Sequence, residues 1–261
     1  MCKAFILLLY STLLIHLHFT GEIKRFINPS YLTLSQVASI LFLFLFFIQV
    51  PRIFSTPDHD HSQCGPWGCN HGSEKIGIAF MAFIIIFIPI GSGFIIPYKD
   101  FDSAEASKRG ISLMPNVHTH EGHNHKYECE TTDESQIWNV WNEPYLQFTN
   151  TNFIPYLDAI TQAPQSFVGK PITIEGFIKK EQKSSNMEYV LTRFIVTHCV
   201  ADAHAVGIII ESGDNWNMYS NDWVRITGEI NMSNIGGVLY PTIKVIKLDI
   251  IQPPKDPYIY P

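Results

Sequence analysis

Hydrophobic residues crowd into the first hundred positions of the chain, where they form three long apolar runs. The runs are AFILLLYSTLLIHLHFT (4–20), YLTLSQVASILFLFLFFIQV (31–50) and IGIAFMAFIIIFIPIGSGFII (76–96). About 20 apolar residues in helical form cross the core of a bilayer, because a helix satisfies its own backbone hydrogen bonds there. The pattern therefore predicts a membrane domain over residues 1–97 with about three hydrophobic helices.

The first and third runs leave alternatives open. The run at 4–20 lacks a strong basic start and a clear small-residue cleavage site, so a retained anchor is favoured over a cleaved signal peptide. Pro89, Gly91 and Gly93 interrupt the run at 76–96, and Pro97 follows it directly. This run either spans the membrane with a kink, or dips into the membrane and returns.

Beyond residue 134 the pattern changes, first to helix-like spacing over 134–169 and then to alternation of apolar and polar positions. The alternating runs are rich in β-branched residues and are bounded by Gly, Asn and Pro; they lie at 171–180, 189–198, 205–211, 222–232 and 241–251. A short helix is predicted at 213–220, between the third and fourth runs. This order matches a small Greek-key barrel of the OB type. We therefore predict residues 134–261 to be a helical lead-in followed by a five-stranded OB-like β-barrel.

Composition and charge narrow the classes of partner. The chain is 46% hydrophobic and 16% charged, which is apolar for a soluble protein. Its net charge is −6, and residues 151–261 carry nine Lys and Arg against eleven Asp and Glu. Because nucleic-acid binding depends on neutralising phosphates, we expect no nucleic-acid partner. Trp216, Tyr219 and Trp223 could form a stacking platform, but aromatic residues near a barrel end more often close its core.

Two polar segments concentrate potential metal ligands. Residues 58–71 read DHDHSQCGPWGCNH, and residues 118–129, within a predicted His-rich linker over 98–133, read HTHEGHNHKYEC. Imidazole and thiolate suit zinc and related transition metals. The candidate ligands are His59, His61, Cys64, Cys69, His71, His118, His120, His123, His125 and Cys129. The alternative is that both segments are solvated linkers, with Cys64 and Cys69 forming a disulfide if the first loop lies outside the cell.

A third candidate lies inside the predicted barrel, in RFIVTHCVADAHAVG (193–207). His198 and Cys199 would point to opposite faces of an extended strand, so both could reach one ion only if the chain bends there. The residues then predict a compact metal site of His198, Cys199 and Asp202, with His204 in reach. The alternative is a buried free cysteine with Asp202 capping a turn. Adjacent strand residues are poorly placed for proton transfer, so we expect no enzyme activity.

The segments LTRFIVTHCVADAHAVGIIIE (191–211), NDW (221–223) followed by VRITGEI, and PKDPYIYP (254–261) resemble the YcgQ-like family of bacterial membrane proteins. The resemblance covers essentially the whole chain, and its most specific parts are RF-x-x-x-H-C-x-A-D-A (193–203) and DPYIY (256–260). Many members have a second cysteine at the position of His198. Because thiolate and imidazole both ligate zinc, this difference is compatible with a metal site.

The resemblance implies a multi-pass protein of the bacterial cell membrane that acts as one subunit of a two-component permease, beside a larger multi-spanning subunit. Short helices with almost no polar residues offer no ion path of their own, which agrees with a partner that supplies the pore. The working hypothesis is an accessory permease subunit that captures or senses zinc. The alternative is a membrane-anchored OB-fold module for assembly or small-ligand binding, with no metal role.

Overall fold

The computed structural model describes residues 2–54, 99–113, 139–183, 186–211, 219–235 and 237–261, together with helical positions at 81, 84, 85, 87, 88 and 91. Two compact units divide the chain, Met1–Lys99 and Asp100–Pro261. The two predicted ligand segments at 58–71 and 118–129, and nearly all of the predicted helix at 213–220, lie outside the described residues.

The first unit contains two packed apolar helices, α1 (Cys2–Thr20) and α2 (Leu32–Phe54), joined through short 3-10 helices at Glu22–Arg25 and Pro29–Tyr31. The Ser11 hydroxyl donates to the Ser39 carbonyl at 3.1 Å, and both residues are buried between the helices. Nearer the connection, His18 Nε2 lies 3.1 Å from Ser35 Oγ. Ser11 and His18 thus form hydrogen bonds between the two helices, whereas the Thr12 and Thr20 hydroxyls donate within α1.

One helix in the described part of the chain is long and apolar enough to cross a membrane, and it covers Pro29–Pro51. Ala4–Thr20 is a shorter apolar helix. The second run was predicted to end at residue 50, but α2 continues through Pro51 to Phe54. Since Pro51 lies in the last turn, the backbone hydrogen bond that it cannot donate is lost without ending the helix. The few described positions of the third run are helical and do not test a span.

The second unit is built on five strands that close into a barrel: β3 (Pro171–Lys183), β4 (Asn186–Ile195), β5 (His204–Glu211), β6 (Trp223–Ile235) and β7 (Val238–Ile251). The order around the barrel is β3, β4, β5, β7, β6 and back to β3. All pairings are antiparallel except β5 with β7, which is parallel. The prediction of a mainly β domain with five strands is confirmed.

Alternation along the strands explains the core. In β6 the side chains of Val224, Ile226 and Ile230 are buried, whereas Arg225 and Glu229 between them are exposed. A period of two places alternate residues on one face of a strand, so one face lines the barrel interior. The helix at Phe153–Gln162 contributes its buried face to the same hydrophobic cluster.

Shorter elements surround the barrel. They are helix α3 (Ser103–Arg109), strand β1 (Ile111–Ser112), strand β2 (Leu146–Gln147), helix α4 (Phe153–Gln162) and strand β8 (Tyr258–Ile259). Each of the three short strands adds to the barrel sheet in parallel: β1 pairs with β5, β2 with β3 and β8 with β4. Residues 100–113, within the segment predicted as a linker, therefore belong to the barrel unit.

A polar network spans the parallel seam between β5 and β7. Glu211 Oε1 accepts hydrogen bonds from Thr242 Oγ1 at 2.6 Å, Ser233 Oγ at 2.8 Å and Asn231 Nδ2 at 2.9 Å. Desolvation by itself raises the pKa of Glu211, but these three hydrogen bonds outweigh it and the pKa lies below its ordinary value. One carboxylate thus connects β5, β6 and β7 where the barrel closes.

A β-bulge marks the pairing of β6 with β7. The register shifts between Thr227 and Gly228. A Cβ atom placed on Gly228 would collide with the Lys244 carbonyl oxygen, so only glycine allows this close approach of the two backbones.

Candidate functional site at the Cys199 turn

The segment that joins β4 to β5, residues His198–His204, is called here the Cys199 turn. Strand β4 ends at Ile195 rather than at the predicted residue 198. The next residue, Val196, donates its N–H to the carbonyl of Ile259 in the C-terminal segment at 2.9 Å. A 3-10 helix then covers Val200–Asp202, and β5 begins at His204. The bend that a shared ion would need at His198 and Cys199 is therefore present.

Cys199 and Asp202 cap this 3-10 helix reciprocally. The Cys199 sulfur accepts the backbone N–H of Asp202, and the Asp202 carboxylate accepts the backbone N–H of Cys199, the latter with both oxygens at 3.4 Å. Such a capping box satisfies two backbone donors that the start of a helix leaves unpaired. Asp202 thus caps the turn, as one of the two sequence alternatives required.

His198 is the third member of the turn. Its backbone N–H and its ring Nδ1 both lie 2.9 Å from Asp202 Oδ2, and its side chain is 65% exposed. Desolvation acts to raise the pKa of Asp202, but the hydrogen bonds from His198 and Cys199 outweigh it and hold the pKa below its ordinary value. Desolvation also lowers the pKa of His204, against a smaller opposing effect of Asp202.

The turn brings His198, Cys199 and Asp202 together, but not as a formed metal centre. Within the described ranges, no group of three or more His, Cys, Asp and Glu side chains could hold a metal ion. The reason is that the Asp202 oxygens accept donors from the turn itself, and the Cys199 sulfur accepts a backbone N–H. The residues as arranged do not fit zinc, and a metal role for these three residues stays a prediction.

Residues of the segment 100–113, which precedes the barrel, contact the Cys199 turn. The Arg109 guanidinium donates to the carbonyls of Ala203 at 2.8 Å and Ala201 at 3.2 Å, and it lies 4.7 Å from the centre of the Phe101 ring. The Phe101 N–H donates to the Tyr258 hydroxyl at 3.1 Å. Sequence reasoning missed Phe101 and Arg109, because no local pattern indicates a contact across about ninety residues.

The two most specific sequence segments, 193–203 and 256–260, meet in the structure. Strand β8 pairs with β4 so that Tyr258 is opposite Phe194 and Ile259 is opposite Ile195. The Phe101 ring contacts both Phe194 and Tyr258, with centroid distances of 5.1 and 5.7 Å. The Cys199 turn is therefore held between the start and the end of the barrel unit.

Arg193, at the start of this segment, is buried with only 3% of its surface exposed. Its guanidinium donates to Asn150 Oδ1 at 2.9 Å and to the Glu175 carbonyl at 3.2 Å, and it lies over the rings of Trp223 and Phe153. Burial lowers its pKa to about 10, although Glu175 opposes the shift. The Arg193 Nε has no hydrogen-bond partner among the described residues. Two aromatic faces and two hydrogen bonds thus surround this buried charge.

The three aromatic residues considered as a stacking platform have different environments. Trp223 packs against Phe177 at 6.0 Å between centroids, and its ring also faces Arg193. Tyr219 is 63% exposed, with the Lys180 ammonium 5.4 Å from its ring centre. Trp216 lies outside the described residues. Trp223 therefore belongs to the barrel packing rather than to an open surface.

These features define a protein with an apolar helical hairpin followed by a β-barrel domain. The chain belongs to the DUF1980 family: the DUF1980 N-terminal domain matches residues 2–112 and the DUF1980 C-terminal domain matches residues 123–261. The predicted family resemblance is confirmed by full-length relatives.

The alignments with two relatives cover 100% of this chain and 99% of each relative. One is "UPF0703 protein YcgQ" of Bacillus subtilis (strain 168), which is 23% identical over 288 aligned positions. The other is "Putative two-component membrane permease complex subunit" of Streptococcus mutans serotype c (strain ATCC 700610 / UA159), which is 25% identical over 281 aligned positions. No solved structure matches the chain.

Proposed function

We propose that the protein is an accessory, membrane-anchored subunit of a two-component permease complex in the bacterial cell membrane, and that its barrel domain is an assembly module. The observation that carries the proposal is the full-length similarity to the Streptococcus mutans protein whose name describes such a subunit. The proposed partner is a larger, multi-spanning membrane protein. No catalytic role is proposed for the barrel.

The longer helix of the hairpin supports membrane attachment. A helix of 23 residues extends about 35 Å at roughly 1.5 Å per residue, which matches a hydrocarbon core of about 30 Å. Only 6% of the most apolar stretch of this helix is buried, and its exposed side chains include Leu34, Ile40 and Phe47. Exposed apolar surface of this extent favours lipid or a neighbouring membrane helix as its environment.

The hairpin also supports a complex in which a second subunit supplies the transport path. The buried Ser11 hydroxyl donates across to α2 and the Ser39 hydroxyl donates within α2, so neither lines a polar path. Transport of a polar substrate needs polar groups or water at the membrane midplane. A partner subunit would supply that path, whereas this chain would regulate or assemble it.

We assign the barrel to the OB type. Its first, second, third, fifth and fourth strands follow one another around the closed sheet, with a parallel pairing between the third and the fifth, which is the arrangement expected for that Greek-key barrel. Barrels of this type commonly serve as binding modules. The negative charge balance of this one favours a protein or small-ligand partner over nucleic acid.

A second candidate function is capture or sensing of a transition metal, with zinc as the first choice. It is favoured by the ten His and Cys residues at 58–71 and 118–129, which include seven of the eleven histidines of the chain. Histidine must be neutral and cysteine deprotonated to ligate, so capture would weaken as the pH falls. The Cys199 turn would join such a site only if Asp202 released its hydrogen bonds from the turn.

One purification separates these candidates. The tagged full chain is isolated in detergent from its host, beside a variant with the histidines of 58–71 and 118–129 changed to Ser and beside Cys199→Ser. Recovery of one multi-spanning protein in a fixed ratio with both wild type and the loop variant supports the assembly module. Its absence after crosslinking in intact membranes contradicts the permease proposal.

The same preparations test the metal. Zinc bound by wild type and lost by the loop variant supports metal capture, and a remainder lost in Cys199→Ser places a further site at the turn. No zinc, cobalt or nickel above background in wild type contradicts the second candidate and leaves the first intact.

A further inference from the structure

The β6–β7 hairpin ends in a two-stranded ribbon that no third strand covers in the described part of the chain. Strand β3 pairs with β6 no further than Glu229, and β5 pairs with β7 only from Thr242 to Lys244. In the remaining rungs, from Met232 with Pro241 to Ile235 with Val238, the two backbones pair only with each other, and the Ser233 hydroxyl donates to Glu211 of β5. At roughly 3.3 Å per residue this ribbon extends about 13 Å from the barrel.

The ribbon tip is apolar and exposed. Val238 is 48% exposed and Leu239 is 51% exposed, with the half-buried Ile235 and Tyr240 beside them. Beside the tip, Asn234 Oδ1 accepts the backbone N–H of Gly237 at 2.9 Å. A two-stranded ribbon alone is marginally stable in water, so an apolar tip of this kind is better suited to an apolar environment.

Charge distinguishes this hairpin from the other long hairpin of the barrel. Residues 230–243 contain no Asp, Glu, Lys, Arg or His, whereas residues 179–188 of the β3–β4 hairpin contain three lysines and two glutamates. Moving a charged side chain out of water is costly, and the β6–β7 ribbon would incur no such cost. Transfer of the hairpin tip out of water therefore costs less for the β6–β7 hairpin than for the β3–β4 hairpin.

We infer that the tip of the β6–β7 ribbon inserts into the interfacial layer of the lipid bilayer and holds the barrel at the membrane surface. The patch of four side chains is far smaller than the roughly 20 to 30 residues a side of a stable protein interface. A chain already attached to the membrane needs only a weak second contact, because attachment gives the tip a high effective concentration at the bilayer. This inference rests on the proposed membrane attachment.

The test uses the full chain with its five cysteines changed to Ser, a replacement that keeps a good N-cap at position 199. Leu239→Cys is labelled with the environment-sensitive fluorophore NBD and reconstituted into phosphatidylcholine vesicles, with and without lipids brominated on their acyl chains. The matched control is Lys247→Cys, on the same strand, where the lysine side chain is 68% exposed. A second variant adds Val238→Asn to the labelled Leu239→Cys chain.

We expect the label at 239 to emit at shorter wavelength than the label at 247 and to lose emission with brominated lipid, whereas the label at 247 is unquenched. Val238→Asn should reduce the quenching at 239. Equal emission and no quenching at both positions, in a chain that still floats with vesicles at alkaline pH, overturns the inference alone. A blue shift at 239 without quenching means that protein and not lipid covers the tip, and this result overturns the inference. Failure of the chain to float overturns the proposed membrane attachment, and this inference with it.

Discussion

Removal of the Glu211 carboxylate should open the parallel seam of the barrel. Glu211→Ala deletes three hydrogen bonds to a charged acceptor, and it leaves the hydroxyl of Thr242, which is 1% exposed, with fewer partners. Hydrogen bonds to charged groups contribute roughly 1.5–3 kcal/mol each, and bonds that share one oxygen contribute less than their sum. We therefore expect a loss of about 3 kcal/mol of unfolding free energy.

The expected loss converts into a measurable shift. For a unit of the size of Asp100–Pro261, 1 kcal/mol corresponds to roughly 2–4 °C, so Glu211→Ala should lower the Tm by about 6–12 °C. The assay is thermal unfolding of the full chain in detergent, followed by tryptophan fluorescence. A double-mutant cycle with the near-isosteric Thr242→Val isolates the coupling between the two side chains.

The pH dependence provides an independent check. Because the folded-state pKa of Glu211 is held below its ordinary value, its contribution is present above the unfolded pKa and is lost as the pH falls through the folded pKa. Wild type and Glu211→Gln should therefore differ most near neutral pH and converge in acid. Additive effects of Glu211→Ala and Thr242→Val, or a difference from Glu211→Gln that does not depend on pH, would refute the assigned role.

Three further changes test the turn, the bulge and the buried arginine by the same unfolding assay. Asp202→Asn should cost about 1 kcal/mol through the capping box, with the difference from wild type shrinking in acid, and an unchanged Tm would contradict the cap. Gly228→Ala should cost about 1–3 kcal/mol, because its Cβ meets a backbone carbonyl that cannot rotate away; a neutral result would exclude the close approach. Arg193→Ala should cost about 3 kcal/mol or more, and Arg193→Lys should recover little of it, because an ammonium cannot reproduce the planar contacts with Trp223 and Asn150; full recovery by Lys would refute that reading.

Local patterns were sufficient for the elements that depend on local chemistry. The apolar runs at 4–20 and 31–50 correspond to α1 and α2, and the five alternating runs correspond to the five barrel strands. Amphipathic period and turn residues are properties of short stretches, so the sequence carries them directly. A bend at His198 and Cys199 was predicted only as the condition for a shared ion, because adjacent residues of a strand point to opposite faces.

By itself, then, the sequence determined an apolar helical region, a mainly β domain and the segments that distinguish the family. Only the tertiary structure decided where β4 ends, since Val196 pairs with Ile259 from the far end of the chain. It also decided that Arg109 holds the Cys199 turn and that Glu211 connects three strands at the closing seam. These contacts join residues 20 to 94 positions apart. Their formation depends on how the strands are ordered around the barrel, and no short stretch of sequence contains that order.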